Sequence, residues 1–420
     1  ETLPSLVPTA LRRIIAASAA SNLGDGAFTI ALPLVALSVT RSPAAFAAVT
    51  LVGRLPWLLF ALPAGALADR LDRRTTMISV NVVRAAAVGT LAIVVGAGLA
   101  EVWMLYVIAF TLGSGETLFD IAAQSILPSI VEPEDLDRAN GRLYAVELTA
   151  NQFLGPPLAA IVAAATLAGA VATSSALYLL AAIALLTISG SFRARRTEDA
   201  TTIRHEIATG VRYLAHHRLL RVLAVCVGVS NLASTATIAI LPLYIIAPGP
   251  VGLNEIGYGI LITTIAAGSV LGTFVVERLR ARLGTRRHLI LATLSFPLFS
   301  LAPIASDSVI VIGTILFIGG AISVGWNIVT VSIRQRLVPD QLLGRVNAGY
   351  RLVAWGTMPL GAALGGIIAA SYGLTTALIA SAAISAICTP IVYYGVTTEQ
   401  LEQNHTAHIP RTLDDPKTSA

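Results

Sequence analysis

Six ionisable residues stand inside long apolar stretches of this 420-residue chain, where a charge is costly to keep. They are Asp25, Arg54, Arg84, Glu116, Asp120 and Glu147. A charge at the centre of a bilayer costs at least ~2.5 kcal/mol on insertion scales, so such residues are functional candidates by default. Four are acids and two are arginines, which leaves two negative charges unmatched. The imbalance predicts that at least one carboxylate binds a proton in some state of the protein.

Helical geometry gives an approximate depth for each of these residues. A rise of ~1.5 Å per residue puts Asp25 and Glu116 about 18 Å, and Arg54 about 22 Å, from the end of their apolar runs. Asp25 and Arg54 lie on consecutive antiparallel runs, so we expect them to meet near the membrane midplane. For Asp25 and Glu116 we favour proton coupling, with a structural ion pair as the alternative.

A second layer of charges lies nearer the membrane surface. The expected depths are about 15 Å for Arg84, about 12 Å for Asp120 and about 8 Å for Glu147. Arg84 and Glu147 are equally well interpreted as members of structural ion pairs. Glu116, Asp120 and Gln124 follow i, i+4, i+8 spacing and share one helix face. Two carboxylates one turn apart repel each other unless a proton or cation intervenes.

The composition requires a membrane environment for these charges. The chain is 55% hydrophobic and 12% charged, whereas soluble domains carry about a quarter charged residues. This excludes a set of soluble domains and a disordered chain. Two cysteines, both in apolar stretches, exclude a disulfide scaffold. The arginines recur in short clusters between apolar runs, which argues against nucleic-acid binding.

Twelve apolar runs are long enough to cross a bilayer as helices, because a span needs ~20 residues. They cover roughly 13–40, 43–68, 76–99, 102–128, 142–167, 170–190, 220–247, 254–276, 288–305, 308–333, 345–370 and 372–396. Arginines follow the even-numbered runs, and only Arg41 follows an odd-numbered one. The positive-inside rule therefore predicts a multi-pass protein of the bacterial inner membrane with both termini in the cytoplasm. The first run is too long for a signal-peptide core.

The longest linker divides the runs six and six. We predict a helical bundle over 1–190, a cytoplasmic linker with an amphipathic membrane-surface helix over 191–219, a second bundle over 220–396 and a polar cytoplasmic tail over 397–420. Apolar residues at helical spacing in the second half of the linker favour that surface helix. The fold class is thus an all-α membrane protein of twelve spans.

The two halves repeat each other in sequence. Ser21-Asn22-Leu23 recurs as Ser230-Asn231-Leu232, and Leu32-Pro33-Leu34 recurs as Leu241-Pro242-Leu243, both at an offset of 209. The linkers before runs 5 and 11 also match, and the segment from Gly65 to Arg74 loosely matches that from Gly272 to Arg287. Direct repeats of six spans predict two pseudo-symmetric bundles around a midplane site.

The loop after the second run carries a family resemblance. Gly65-Ala66-Leu67-Ala68-Asp69-Arg70-Leu71-Asp72-Arg73-Arg74 resembles the loop that marks the major facilitator superfamily, with Asp72 where that family has glycine. The resemblance implies the two-bundle fold. It also implies that Asp69 docks against a helix end across the seam between the halves, and that Arg70, Arg73 and Arg74 hold a cytoplasmic gate.

The fifth run contains a degenerate form of a second motif. Asn151, Gly155 and Pro156 resemble part of the superfamily's exporter motif, with Asn151 in place of its first glycine and alanines in place of its last two. An ordinary kinked helix is the alternative interpretation. The segments Leu136–Gly141 and Glu116–Asp120 resemble the bacterial drug-efflux branch that includes macrolide and siderophore exporters. Many proton-coupled members carry an arginine in span 4, which this chain lacks.

Polar and aromatic residues on the expected cavity helices are candidates for substrate contact. They are Asn22, Asn231, Tyr244, Trp326, Asn327 and Trp355. A large, mostly apolar cavity with few polar groups suits amphipathic molecules. For the tryptophans, packing or interfacial anchoring is an equal alternative.

The resemblance and the buried acids together predict a monomeric secondary transporter that exports an amphipathic drug, siderophore-like or lipid-like molecule. Coupling is expected to be antiport of protons, with no cofactor and no metal. No phosphate-binding loop or catalytic constellation is visible in the sequence, so an enzyme or an ATP-driven pump is not expected. Two alternatives stay open within the same fold: an importer, and a lipid flippase or uniporter without proton antiport. A sensor would be expected to add a soluble domain.

Overall fold

The computed structural model describes residues 9–68, 72–127, 130–132, 135–188, 192 and 203–401. The described chain is almost entirely helical. Its helices are α1 (Thr9–Val39), α2 (Pro43–Ala68), α3 (Arg73–Gly96), α4 (Val102–Ile126), α5 (Leu136–Leu148), α6 (Gly155–Ala165), α7 (Leu167–Leu186), α8 (Ile203–His216), α9 (Arg218–Ile238), α10 (Leu241–Ile245), α11 (Glu255–Leu283), α12 (Thr285–Ala305), α13 (Val309–Leu337), α14 (Asp340–Gly356), α15 (Met358–Tyr372), α16 (Leu374–Ala386) and α17 (Cys388–Gly395).

Eleven segments of the described chain are long and apolar enough to cross a membrane. They correspond to eleven of the twelve predicted runs. The remaining run corresponds to α2, whose segment Pro43–Leu59, the part with described side chains, is also apolar. The helical membrane class predicted from composition is therefore confirmed.

Prolines explain why several predicted spans consist of two helices. The run predicted over 220–247 ends as α9 at Ile238 and resumes as α10, which has Pro242 in its first turn. The run over 345–370 breaks between α14 and α15, just before Pro359. Proline lacks a backbone N–H and clashes with the preceding turn, which favours a helix break at these positions.

Helix packing groups most elements with others of the same half of the sequence. In the first half, α1 packs on α6 and α7, α3 packs on α4 and α7, and α2 packs on α4. In the second half, α13 packs on α11 and α12, while α9 packs on α15 and α16. The main contacts between the halves join α2 to α15 and α6 to α11.

The buried apolar clusters differ between the two ends of the molecule. We call the end where α1 begins the terminal side and the end where it finishes the far side. On the far side, one continuous cluster contains residues of both halves, among them Leu34, Val49, Ile240 and Leu378. On the terminal side, each cluster of described residues belongs to one half alone. Among the described residues, a buried apolar cluster thus joins the halves on the far side, whereas on the terminal side α2 makes smaller contacts with α8 and α14 of the other half.

Helix α8 packs on protein rather than lying free on a membrane surface. A Cβ atom added to Gly210 of α8 would lie 1.9 Å from the backbone oxygen of Arg345 on α14. Leu214 is buried in a cluster with Val338 and Val346. The apolar face of the amphipathic helix predicted in the linker therefore covers the start of α14.

Candidate functional site: a charged cavity between the halves

A cavity of about 860 Å³ lies between the helices of the two halves. Residues of both halves line it, and most of them are apolar or small. Four of the six predicted membrane charges line it: Asp25, Arg54, Arg84 and Glu116. The other two, Asp120 and Glu147, are not among its lining residues.

Asp25 and Arg84 form an ion pair at the wall of this cavity, where α1, α3 and α7 converge. Nη2 of Arg84 donates to Oδ1 of Asp25. The hydroxyl of Tyr178 on α7 donates to the same carboxylate oxygen at 2.8 Å. The guanidinium also lies 4.5 Å from the centre of the Tyr178 ring. Tyr178 therefore contacts both members of the pair, and it completes a three-helix charged centre.

Arg84 is held by further contacts on its buried side. Its Nη1 donates to Oγ of Ser21 at 3.3 Å, and Ser21 donates to Oδ1 of Asn81 at 3.1 Å. The Arg84 side chain is 1% exposed. The space for the Arg84 side chain depends on Gly115 of α4, because a Cβ atom at Gly115 would lie 2.8 Å from Cδ of Arg84. A buried charge of this kind is stable only when it is paired and hydrogen-bonded.

The predicted meeting of Asp25 with Arg54 is wrong, since the partner of Asp25 is Arg84. Helix α1 packs extensively on α7 and only marginally on α2. Arg54 is exposed and lines the cavity without a hydrogen bond or salt bridge within the described residues. It is a cation available to the cavity.

Three acids adjoin the ion pair without a salt bridge of their own in the described part of the chain. Glu116 lines the cavity. Glu116 lies within electrostatic range of Asp25, Asp120 and Glu147. The sequence thus located a real acidic cluster. Its third predicted helix-face member, Gln124, has a side chain outside the described residues.

Three of the six predicted substrate contacts line the cavity. These are Asn231, Trp326 and Asn327. The indole N–H of Trp326 is buried and has no partner within the described residues, and its ring lies edge-on to Phe296 at 5.5 Å. The amide of Asn231 donates to the backbone oxygen of Ala354 at 2.7 Å.

The other three predicted contacts lie elsewhere. The amide of Asn22 donates to the backbone oxygen of Ser18 at 3.0 Å, inside α1. Tyr244 is buried in the far-side cluster. Trp355 packs edge-on against Trp57 of α2, with ring centres 4.5 Å apart, and so joins the two halves. For Trp355, the packing alternative describes its surroundings.

Sequence reasoning missed several cavity-lining side chains. Among them are Tyr258, Phe296 and Phe299. The aromatic residues stand in helices α11 and α12, where a membrane span offers no periodic signal because both the lipid-facing and the protein-facing sides are apolar. Only their helical phase relative to neighbouring helices assigns them to the cavity.

The exporter-like motif forms an irregular, closely packed segment. A π-helical turn covers Thr149–Leu154, between α5 and α6. Pro156 and Pro157 follow it and lack the N–H groups that regular helical bonding would use. A Cβ atom on Gly155 would lie 2.6 Å from the backbone of Gly26 on α1. Asn151 lines the cavity, while Gly155 and Pro156 allow α6 to approach α1.

The gate-like loop is only partly described. Asp69 and Arg70 lie outside the described residues, and Gly65 stands in the part of α2 for which only the backbone is described. Asp72 is the N-cap of α3: its carboxylate accepts the N–H of Thr75 at 2.9 Å and that of Phe192 at 2.6 Å.

Arg74 and a counterpart in the second half bind helix ends in the same way. Arg74 donates to the backbone oxygens of Leu185 and Leu186, both at 3.0 Å, at the end of α7. Arg286 donates to the backbone oxygens of Val396 and Tyr393, both at 2.8 Å, at the end of α17. Arg73 is part-buried. In this structure both donor arginines therefore satisfy C-terminal carbonyls within their own half.

Within the part of the chain that the structure describes, no group of three or more His, Cys, Asp or Glu side chains is arranged to hold a metal ion. The polar groups that line the cavity include the ion pair, the Glu116 carboxylate, the Arg54 guanidinium, many hydroxyl groups and a few amides. Such a set can bind an organic molecule by burying its apolar surface and by hydrogen bonding to its polar groups.

Comparisons with known proteins agree with this architecture. Residues 2–417 match the family described as transmembrane secretion effector, MFS_3. The chain is 26% identical over 385 residues to the multidrug efflux pump Tap of Mycolicibacterium fortuitum, which covers 87% of this chain and 91% of Tap. It is 28% identical over 147 residues to macrolide efflux protein A of Streptococcus pyogenes, which covers 35% of this chain and 36% of that protein. The fold is similar to a crystal structure of the nucleoside transporter NupG, with a TM-score of 0.74, 10% identity and coverage of 92% of this chain and 98% of that one.

Proposed function

We propose that this chain, which belongs to the MFS_3 family of major facilitator transporters, exports amphipathic small molecules by alternating access in exchange for protons. It is a membrane transporter and not an enzyme. The observation that carries the proposal is the 860 Å³ cavity between the halves, with a buried ion pair and a free carboxylate in its wall.

The size and lining of the cavity support an organic cargo. Pockets of ~300–1,000 Å³ that are mostly apolar with a few placed polar groups suit small molecules. Trp326 and Phe296 provide aromatic surface on one side, and Glu116 provides a negative charge on the other. This combination favours a molecule with an extended apolar body and a polar or cationic group. The names of Tap and macrolide efflux protein A agree with an export direction.

The packing supports a state that is open towards the terminal side. A buried apolar cluster joins the halves on the far side, and no such cluster of described residues joins them on the terminal side, where α2 makes smaller contacts with α8 and α14. We take α2 as the twelfth span, which gives two bundles of six, and the arginine clusters between the apolar runs favour cytoplasmic termini. In that orientation the cavity takes up its cargo from the cytoplasm, which is the loading state of an exporter.

Glu116 is the proposed site of proton exchange, together with Asp25. Both carboxylates line the cavity, and within the described residues only Asp25 has a salt bridge to Arg84. Because Glu116, Asp25 and Arg84 interact electrostatically, a change in helix position that moves one acid relative to Arg84 changes which acid holds the proton. Proton release would then depend on which side of the cavity is open.

Transport into everted membrane vesicles tests the proposal with ethidium as the fluorescent probe. We expect uptake when the vesicle interior is acidic, and collapse of uptake when the gradient is dissipated. Glu116→Gln should remove the gradient-driven part and leave the protein folded, since Glu116 has no salt bridge to lose within the described residues. Glu132→Gln, an exposed carboxylate in a loop, is the matched control and should transport normally.

Three results would contradict parts of the proposal. Equal activity of Glu116→Gln and Glu132→Gln would refute the role of Glu116. Uptake that ignores the pH gradient would favour the uniporter or flippase alternative. Accumulation in right-side-out vesicles with no accumulation in everted ones would favour the importer.

A further inference from the structure

A second cavity, of about 540 Å³, lies at the terminal-side ends of α11, α12 and α13. Its lining includes four arginines: Arg280, Arg286, Arg287 and Arg336. The lining that the structure describes contains no acidic side chain. Like charges gathered around one cavity repel each other, so an anion in it would lower the electrostatic energy. We call this cavity the arginine pocket.

Two of the four arginines are already engaged. Arg286 donates to the backbone oxygens at the end of α17, and Arg336 has a partner of its own. Arg280 and Arg287 make no side-chain hydrogen bond or salt bridge within the described residues. They therefore present free charged donors to the arginine pocket.

The other half of the protein provides an internal comparison. Asp72 is the N-cap of α3, and its carboxylate joins Thr75 at the helix start to Phe192, in the segment after α7. In the second half, α12 begins after Gly284, which provides no side-chain cap. The segment after α17 approaches in the same way, with Leu401 lining the arginine pocket. The carboxylate that completes this arrangement in the first half thus has no counterpart at the start of α12.

We propose that the arginine pocket binds a phosphate group, either of a soluble phosphate compound or of an anionic lipid headgroup. Arg280 and Arg287 donate charge-assisted hydrogen bonds to it, and the uncapped N–H groups at the start of α12 contribute to its oxygens. Guanidinium groups match phosphate geometry with paired donors. The volume of the arginine pocket is larger than a carboxylate side chain of the protein would fill. Its position at the ends of three spans places the pocket at the depth of lipid headgroups. This site is separate from the transport cavity.

Thermal unfolding of the purified full-length protein in an uncharged detergent tests the proposal. Pyrophosphate and inorganic phosphate are titrated against sodium chloride at matched ionic strength. We expect a saturating rise in Tm of about 2 °C or more, which corresponds to a ligand well above its Kd. A parallel arm compares nanodiscs of phosphatidylglycerol with nanodiscs of phosphatidylcholine.

Charge-removing variants identify the site. Arg280→Gln/Arg287→Gln should weaken the apparent affinity by more than about tenfold, because it removes two charged donors. Arg278→Gln/Arg282→Gln is the matched control: both arginines are at the same end of α11 and do not line the arginine pocket. The control should keep the wild-type response.

Each outcome decides the matter. A response to phosphate or pyrophosphate that the pocket variant loses supports a soluble ligand, and a response to phosphatidylglycerol alone supports a lipid headgroup. Equal loss in both double variants would show non-specific attraction to a basic surface and overturn the site. Absence of any response in both arms would overturn it as well. The pocket variant's ethidium transport reports separately on the proposed function.

Discussion

Replacing Gly366 with alanine should shift the transporter away from the state seen here. Gly366 of α15 is buried against α2, and an added Cβ atom would lie 2.6 Å from Cβ of Ala47. Carbon atoms in contact are ~3.5–4.0 Å apart, so the two helices must separate by roughly 1 Å. Because α2 and α15 form a main contact between the halves, this separation opens the far-side seam.

The size of the shift follows from the cost of overpacking. Extra methyl groups in a well-packed core cost about 1–3 kcal/mol. In an alternating-access protein the α2–α15 contact belongs to the far-side-closed state, so the cost falls on that state alone. Each ~1.4 kcal/mol changes an equilibrium constant tenfold. The population of the far-side-open state should therefore rise roughly 5- to 150-fold relative to that of the far-side-closed state.

Cysteine labelling measures this population. Thr50 of α2 lines the cavity, and the two native cysteines are fully buried, so Thr50→Cys should provide a low-background reporter. A membrane-impermeant maleimide added to intact cells should label it several-fold faster in the Gly366→Ala background. Moving the methyl group back, with Ala47→Gly added to Gly366→Ala, should restore the slow rate.

Gly141→Ala is the matched control, because a Cβ atom at Gly141 meets nothing within 4 Å. It should label at the wild-type rate. Unchanged labelling of Gly366→Ala in a folded, membrane-inserted protein would refute the reasoning. So would equally fast labelling in the Ala47→Gly/Gly366→Ala pair, since the steric clash is absent there.

Three further predictions concern stability. Asp25→Asn leaves the charge of Arg84, whose side chain is 1% exposed, without its counter-ion. This should reduce the free energy of unfolding by about 3–5 kcal/mol and lower Tm. Asp25→Leu/Arg84→Met, which removes both charges, should recover most of the loss. Arg286→Gln removes two hydrogen bonds to backbone oxygens of α17 and the residue after it. It should reduce the free energy of unfolding by about 1–3 kcal/mol, measured by thermal unfolding. The control is Arg278→Gln: the Arg278 side chain makes no hydrogen bond or salt bridge within the described residues, so stability should change by less than about 0.5 kcal/mol. Burial lowers the pKa of His217, whose Nδ1 accepts an N–H at the start of α9. The unfolded chain therefore binds more protons below pH ~6.5, and stability is lost as the pH falls through that value towards the lower folded pKa. His217→Asn, which keeps a neutral cap, should flatten that part of the pH profile.

The first of these stability predictions changes how the buried acids should be tested. From sequence alone, neutralising Asp25 and neutralising Glu116 are equivalent experiments. In the structure they are not, because Asp25 holds the counter-charge of a buried arginine and Glu116 does not. Loss of transport in Asp25→Asn would mix a folding defect with a coupling defect, and Glu116→Gln separates them.

The sequence repeat anticipated a structural correspondence that no single motif indicated. The loose match between the segments ending at Arg74 and Arg287 aligns two loops before α3 and α12. In both, an arginine binds the last carbonyls at the end of the final helix of its half. The starts of the two helices differ because α3 has the acidic N-cap Asp72, whereas α12 follows Gly284. The arginine pocket lies at the start of α12.

The sequence by itself determined the membrane class, the approximate positions of the spans and the set of charged residues within them. The reason is local: a segment in hydrocarbon must satisfy its own backbone, so each apolar run of sufficient length becomes a helix wherever it packs. Tertiary structure alone decided which charges meet. Asp25 pairs with Arg84 of α3 rather than with Arg54 of α2 because α1 and α3 both pack on α7, whereas α1 contacts α2 only marginally. The rotation of each helix about its axis likewise places Trp326 at the cavity and Trp355 beside Trp57 at the contact between the halves. The sequence does not show this, because all faces of an apolar span are apolar and none indicates which helix it contacts.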